Sequence, residues 1–157
     1  MRLTTYSDYA LRVLMYLALK SDGLSTIAAI AESYDISEAH LMKVVHQLGV
    51  AGYIETVRGR GGGLRLARPV EAISLAEVIR TTEPDMAIVS CLKPTNVPCT
   101  INPSCVLKRA LQRARDAFME VLEGYTLADL VAPRARLAGL LGIPPGAVLR
   151  LIVLPQA

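Results

Sequence analysis

Apolar residues recur every three or four positions at the beginning of the chain, which predicts a first helix over residues 5–20. Its inward stripe includes Tyr9 and Leu17. The segment opens with Thr5-Tyr6-Ser7-Asp8, and a threonine followed three residues later by an acid is the pattern of a capping box. We therefore expect Asp8 to be the acidic partner of a Thr5 cap.

Two shorter amphipathic segments follow and predict a helix-turn-helix. The first covers residues 26–34 and is capped by Ser25, and the second covers residues 38–48 and is capped by Ser37. A three-residue turn joins them, as in helix pairs that place their second helix in the DNA major groove. In that second helix the residues expected inward are Leu41, Val44, Val45 and Leu48, and those expected outward are Glu38, His40, Lys43 and Gln47.

Two short β-rich runs after this motif predict a hairpin. They cover residues 53–57 and 64–67, and the loop between them contains only glycines and two arginines, Arg58 and Arg60. Such a loop is typical of a wing that enters a DNA minor groove. Two other interpretations stay open. One is a flexible hairpin tip, and the other is a nucleotide-binding loop, although the Gly-Lys-Ser/Thr ending of a P-loop is missing.

Another capping pattern, at Ser74-Leu75-Ala76-Glu77, predicts a short helix that ends near residue 83. Prolines and all three cysteines then occupy residues 91–105, which predicts a loop. A long helix follows from about residue 104 to 123, with Gly124 as its stop. Its apolar residues recur in steps of four and three, and the set is Leu107, Leu111, Ala114, Phe118, Val121 and Tyr125. This seam suits packing within one domain or a dimer, and we expect a dimer because helix-turn-helix proteins usually read two half-sites.

These elements predict a mainly α fold, namely a winged helix-turn-helix with a small β-hairpin wing and a long dimerisation helix. We expect a DNA-binding domain over residues 1–83 and a cysteine-rich, cluster-binding loop over residues 84–105. The dimerisation helix and the segment after it take residues 106–132. The remaining tail, residues 133–157, is apolar and of unknown role, and either a strand or a loosely docked extension agrees with its sequence.

The positive charge of the chain is local. The 157 residues have a net charge of +3, but residues 57–68 contain four arginines and no acid, which suits contact with phosphates. The sequence shows no apolar run of about 18 residues that could cross a membrane and no secretion signal. With only three cysteines a disulfide framework is not expected either. We therefore expect a cytoplasmic protein that does not associate with a membrane.

The cysteines Cys91, Cys99 and Cys105 are separated by seven and then five residues, so they can surround one inorganic centre. These intervals lack the two-residue spacing of zinc knuckles, whereas iron–sulfur clusters tolerate varied spacing. Cys105 also precedes the long helix, whose positive end stabilises an anionic ligand. An iron–sulfur cluster is favoured, while zinc, a thiol–disulfide switch and inert cysteines remain open. No motif places a histidine to activate a cysteine nucleophile, so we do not expect an enzyme.

Three ordered motifs resemble one protein family. They are LTTYSDYALR at residues 3–12, VRGRGGGL at residues 57–64, and the three cysteines before a long helix. Together they are similar to the bacterial winged-helix regulators that include IscR and CymR, over residues 1–132. The resemblance implies a dimeric DNA-binding protein.

The cysteine spacing resembles that of the nitric-oxide-sensing branch of this family. No histidine stands at the second or third position after Cys105, where IscR-like members supply a cluster ligand. The resemblance implies instead an oxygen ligand from the first helix of the partner subunit, and it places that ligand at Asp8. It thus implies a cluster held by Cys91, Cys99, Cys105 and the partner subunit's Asp8, of the 4Fe-4S type rather than the 2Fe-2S type. From the residues alone, the capping role of Asp8 is the simpler interpretation.

The resemblance implies a repressor that binds a near-palindromic operator as a homodimer while its cluster is intact. Nitric oxide is expected to nitrosylate the cluster and so to release the DNA. We expect DNA contacts from Ser37, His40 and Lys43 in the helix-turn-helix and from Arg58 and Arg60 in the wing. The alternatives within the same fold are a regulator that responds to iron–sulfur status and a thiol- or zinc-based redox regulator.

Overall fold

The fold begins with three helices that form the predicted helix-turn-helix unit. The computed structural model describes residues 2–20, 23–95, 99–144 and 147. Helix α1 covers Thr5–Leu19, α2 covers Ile27–Tyr34 and α3 covers Glu38–Val50. Asp35 follows α2 in the left-handed region, at a φ of 52°, and starts the turn that leads into α3. The observed bounds differ from the expected ones by two residues at most.

The caps of the first two helices lie one residue away from the predicted ones. Thr4, and not Thr5, caps α1, because its hydroxyl accepts a hydrogen bond of 3.2 Å from an amide of the first turn. Thr26, and not Ser25, caps α2 in the same way at 3.1 Å. Adjacent hydroxyl residues carry the same local capping signal. Only the packing of the helices distinguishes them.

Burial along α3 follows the pattern read from the sequence. The four apolar residues expected inward are all buried, and the four polar residues expected outward are all exposed. The buried set belongs to one apolar cluster with the inward stripe of α1, so α3 packs on α1. This packing leaves the polar side of α3 facing solvent.

The predicted hairpin is present and is joined to the rest of the domain. Strand β1, Ile54–Val57, pairs antiparallel with β2, Gly63–Leu66, and Ile54 lies opposite Leu66. The Ser25 amide donates to the Leu64 carbonyl at 3.0 Å, and the Ser25 carbonyl accepts from the Leu64 amide at 2.7 Å. These two bonds attach the hairpin to the segment that precedes α2.

Four more helices follow among the described residues after the hairpin. They are α4, Leu75–Thr82; α5, Val106–Glu123; α6, Leu127–Leu130; and α7, Arg134–Leu140. Ser74 precedes α4, but its side chain makes no capping hydrogen bond and Glu77 binds an arginine. The predicted capping box at this helix is therefore wrong.

The loop between α4 and α5 contains only short 3₁₀ turns, at Ser90–Leu92 and Asn102–Ser104, in its described part. Helix α5 then begins after Cys105 and ends at Gly124, close to the predicted bounds. Across the described residues, none of the helices combines the length and the apolar composition that crossing a membrane requires.

The segment around α7 packs against the helix-turn-helix unit. Arg134 donates to the Ala18 carbonyl at 2.9 Å, and the Ser33 hydroxyl donates to the Leu141 carbonyl at 3.0 Å. Ile143 is buried in the same apolar cluster as α1 and α3. The beginning of the tail is thus a docked helix, and residues 148–157 lie outside the described residues. The division of the chain into four segments stays a prediction.

Candidate nucleic-acid interface and cysteine site

The free side of α3 carries the three residues expected to contact DNA from the helix-turn-helix. Ser37, His40 and Lys43 are all exposed to solvent. The predicted capping role of the Ser37 side chain is wrong, because it makes no hydrogen bond with the first turn of α3. Its hydroxyl is therefore available for a phosphate. Helix α3 therefore presents a polar face of the kind that reads a major groove.

His40 also contacts α1. The centre of its ring lies 6.5 Å from that of Tyr9, with the two ring planes tilted by 44°. The contact joins the beginning of α1 to the beginning of α3. The residue on α3 that contacts α1 is therefore one of the expected DNA contacts.

The tip of the wing exposes Arg58 and Arg60 on a glycine-shaped loop. Gly59 and Gly61 have φ values of 103° and 78°, which favour glycine over every other residue. The Gly62 amide donates to the Gly59 carbonyl at 2.9 Å and closes the turn. A loop that connects two strands of a hairpin does not agree with the nucleotide-loop interpretation, which requires a strand-to-helix junction.

The base of the wing is held by an ion pair that the sequence pattern did not reveal. The Arg68 guanidinium donates to both carboxylate oxygens of Glu77, at 3.0 and 2.7 Å, and to the Ala72 carbonyl at 2.8 Å. It also lies 5.1 Å from the centre of the Tyr53 ring. The hydrogen bond from Arg68 lowers the pKa of the Glu77 carboxyl. Arg68 therefore belongs to the support of the wing, whereas Arg58 and Arg60 are at its tip.

The three cysteines lie in and next to the loop that precedes α5. Cys91 and Cys105 are half-buried, Cys99 is exposed, and all three are free thiols. In the part of the chain that the structure describes, no three Cys, His, Asp or Glu side chains stand close enough to share a metal ion. The described part of a single chain therefore does not place the predicted cluster ligands next to one another.

Cys105 has the most informative surroundings of the three cysteines. It is the N-cap of α5, and its sulfur accepts a hydrogen bond from the Lys108 amide at 3.3 Å. An open cavity of about 480 Å³ lies beside it, lined by Thr100, Ile101, Pro103, Ser104, Val106 and Leu107. An amide donor and the positive end of a helix both suit an anionic sulfur ligand.

Asp8 lies on the exposed side of α1 and is paired with Arg12. The two Asp8 carboxylate oxygens accept hydrogen bonds from the Arg12 guanidinium at 3.1 and 2.9 Å. The predicted capping role of Asp8 is therefore wrong, because Thr4 is the cap and the Asp8 carboxylate points to Arg12. With 48% of its side chain exposed, Asp8 is accessible to a second subunit.

The chemistry of these ligands fits an iron–sulfur cluster. Three thiols on one loop are soft ligands of the type that hold such clusters, and the helix end at Cys105 suits a negatively charged group. Three cysteines leave one coordination position for a ligand from elsewhere. The exposed carboxylate of Asp8 offers that ligand on a different element, α1.

Helix α5 has one side packed in its own protomer and one side uncovered. Phe118 joins the small apolar cluster around α4, so this member of the predicted seam faces inward. Leu107 and Val121 are 64% and 63% exposed. The exposed apolar residues on this side recur at intervals of three and four, and the set is Leu107, Ala110, Ala114, Ala117 and Val121. We call this set the α5 stripe, and such a row is typical of a surface that a second helix covers.

Known proteins with similar sequences include several transcriptional regulators. The Rrf2 family, described as an iron-dependent transcriptional regulator, matches residues 3–133. The chain is 52% identical over 132 residues to the HTH-type transcriptional regulator NsrR of Bacillus subtilis (strain 168), which covers 83% of this chain and 90% of that protein. It is 47% identical over 142 residues to NsrR of Geobacillus kaustophilus (strain HTA426), with coverages of 90% and 97%. The resemblance to this regulator family read from the three motifs is confirmed, and the proteins with 47–52% identity are named NsrR.

Solved structures share the fold. CymR, the global cysteine regulator of B. subtilis, matches with a TM-score of 0.69 at 31% identity, over 84% of this chain and 97% of that one. IscR of T. potens matches with a TM-score of 0.65 at 26% identity, over 85% of this chain and 88% of that one. These matches confirm the predicted winged helix-turn-helix with its β-hairpin wing. The chain therefore belongs to the Rrf2 family of DNA-binding transcriptional regulators.

Proposed function

We propose that the protein is a homodimeric repressor whose iron–sulfur cluster senses nitric oxide. The observation that carries the proposal is the position of Cys105, which is the N-cap of the helix that bears the α5 stripe. A cluster-binding thiol at this position lies on the same helix as the surface proposed to contact a second subunit. A change at the thiol therefore reaches the dimer interface within one helix.

The DNA side of the proposal uses the exposed face of α3 and the tip of the wing. Ser37 is exposed directly before α3, His40 and Lys43 are exposed on α3, and Arg58 and Arg60 are exposed at the wing tip. A homodimer presents two copies of this surface, so its operator is near-palindromic. The α3 residues contact phosphates and base edges in the major groove, and the wing arginines enter the minor groove.

The cluster is held by Cys91, Cys99 and Cys105 of one subunit and by the partner subunit's Asp8. We propose a 4Fe-4S cluster rather than a 2Fe-2S cluster, as the resemblance of the sequence motifs implies. When bound, the cluster supplies iron atoms that nitric oxide can bind. A carboxylate is a hard ligand among soft thiolates, so Asp8 is the ligand most readily exchanged.

Asp8 also connects the cluster site to α3, the helix proposed to contact the major groove. It belongs to α1, and Tyr9 of the same helix contacts His40 on α3. Release of Asp8 from the cluster would remove a contact between α1 and the partner subunit, and the two α3 helices of the dimer would lose their defined spacing. Operator binding weakens because both half-sites can no longer be contacted together.

The family description favours a second candidate function. Rrf2 is described as iron-dependent, so the occupancy of the same cluster can itself report the supply of iron. In this case loss of the cluster under iron limitation, without nitric oxide, releases the operator.

An anaerobic titration of the cluster-loaded protein with nitric oxide tests the proposal. Visible absorbance and fluorescence anisotropy of labelled operator DNA are recorded on the same samples, and we expect bleaching and DNA release to proceed in parallel. A variant with all three cysteines changed to serine is the control and should not respond to nitric oxide. Operator binding that survives complete bleaching would refute the coupling. A colourless protein with stoichiometric zinc would favour a zinc-based redox regulator instead.

A further inference from the structure

The carboxylate of Glu83 is bound to the beginning of α1, which is distant in sequence. Its Oε1 atom accepts hydrogen bonds from the Thr4 amide at 2.8 Å, from the Thr4 hydroxyl at 3.1 Å and from the Ser7 hydroxyl. Ser7 is fully buried, and Glu83 is half-buried. Because an ionised acceptor makes stronger hydrogen bonds than a neutral one, this oxygen fixes the first turn of α1.

The location of Glu83 at the end of its own helix makes this contact informative. Glu83 is the C-cap of α4, where a negative charge opposes the helix dipole. The same charge lies at the N-terminal end of α1, where the dipole favours it. The glutamate therefore stabilises α1 and not the helix to which it belongs.

Within one protomer, Glu83 connects the turn that presents Asp8 with the chain segment that leads to the cysteine loop. Asp8 directly follows Ser7, and the Asp8 amide donates to the Thr4 carbonyl at 3.1 Å. In the other direction the chain continues from Glu83 into the loop that carries Cys91. One side chain thus links the base of the cysteine loop to the turn that presents Asp8.

We propose that Glu83 is a positioning residue for Asp8. By holding the first turn of α1 it sets where the Asp8 carboxylate is presented to the cysteine site of the partner subunit. The inference rests on the proposed function, because the role of Asp8 as a ligand belongs to it. The Arg12 ion pair does not replace this anchor, since Arg12 lies on α1 and moves with it.

The test compares three variants of the full-length, cluster-loaded protein. Glu83→Ala removes the acceptor, and Glu83→Gln keeps an oxygen that can accept from the same donors. Glu77→Ala is the matched control, because it removes another paired carboxylate of α4 that contacts the wing and not α1. The rate of cluster loss to a chelator is followed anaerobically by visible absorbance, visible circular dichroism reports the ligand environment, and thermal unfolding of the cluster-free proteins reports stability.

We expect Glu83→Ala to lose its cluster about tenfold faster than the wild type, since losing the partner that orients a metal ligand costs about 10–100-fold in affinity. Its visible circular dichroism should resemble that of Asp8→Ala, and Glu83→Gln should restore most of the retention. Glu77→Ala should unfold at a lower temperature but keep the wild-type rate of cluster loss. In the double variant with Asp8→Ala, removing Glu83 should cause no additional loss.

Equal cluster loss in Glu83→Ala and Glu77→Ala would overturn the proposal, as would additive effects of Glu83→Ala and Asp8→Ala. If Asp8→Ala changes cluster retention but Glu83→Ala does not, the positioning role alone is wrong. If Asp8→Ala leaves retention and circular dichroism unchanged, the ligand assignment in the proposed function fails, and the positioning role fails with it.

Discussion

Gly63, the first residue of β2, is where the hairpin approaches the segment before α2 most closely. A Cβ atom at this position would lie 2.8 Å from the Ser25 carbonyl oxygen and 2.9 Å from the Leu24 Cβ atom. The Gly63→Ala variant must therefore push β2 away from Ser25. That movement stretches the two hydrogen bonds between Ser25 and Leu64, which are 2.7 and 3.0 Å long.

The size of the effect follows from these contacts. Two backbone hydrogen bonds contribute about 1 kcal/mol each, and overpacking of this kind costs about 1–3 kcal/mol. Replacing glycine recovers about 0.5–1 kcal/mol, because the unfolded chain loses conformational freedom. We expect Gly63→Ala to lower the free energy of unfolding by about 3 kcal/mol. Operator affinity should fall as well, since this contact attaches the wing to the rest of the domain.

Urea denaturation of the cluster-free protein at one fixed protein concentration measures the stability change, and anisotropy with labelled operator measures the affinity. Gly49→Ala is the matched control. A Cβ atom there meets nothing within 4 Å and the residue lies inside α3, so the variant should gain about 0.5–1 kcal/mol. A Gly63→Ala protein with the wild-type urea midpoint would show that the contact with Ser25 tolerates a Cβ atom at position 63.

Three further outcomes are expected. Val121→Glu should abolish the dimer in sedimentation experiments without unfolding the protomer. Arg109 is exposed but lies outside the α5 stripe, so Arg109→Glu should leave the dimer intact. A dimeric Val121→Glu protein would show that the stripe is not the interface. The pKa of Glu77 is lowered in the folded state, so its ion pair with Arg68 stabilises the fold at neutral pH. The contribution is about 1 kcal/mol or less because the pair is half-exposed. It is lost as the pH falls through the folded-state pKa. Glu77→Gln should therefore be less stable than the wild type near neutral pH, and urea midpoints of the two proteins should converge as the pH falls. Asp8→Ala should weaken cluster retention while far-ultraviolet circular dichroism stays near the wild-type spectrum; a clear loss of helix would contradict the capping assignment at α1.

Much of the helix-turn-helix could be predicted because burial alone determines its pattern. The four inward residues of α3 recur at the helical period, and a helix that packs on a core has no other way to bury them. The wing was predictable for a similar local reason, since glycines between two β-rich runs leave few alternatives to a hairpin. The bounds of α5 followed from prolines before it and Gly124 after it.

Local signals failed where neighbouring residues compete for one role. Thr4 and Thr5 are chemically equal as caps, and the Glu83 carboxylate that binds Thr4 comes from the far end of α4. The predicted box at Ser74 was wrong because the Ser74 side chain makes no capping hydrogen bond, and the main partner of Glu77 is the Arg68 guanidinium. A sequence pattern carries no information about a partner that only folding brings near.

By itself, the sequence determined the helix-turn-helix, the wing, the long helix and the family, because each depends on the spacing of residues within one segment. The tertiary structure decided what the segments do to one another: the anchoring of α1 by Glu83, the support of the wing by Arg68, and the outward exposure of the α5 stripe. These contacts join residues far apart in the chain, and their energies exist only once the hydrophobic core has set the helices side by side.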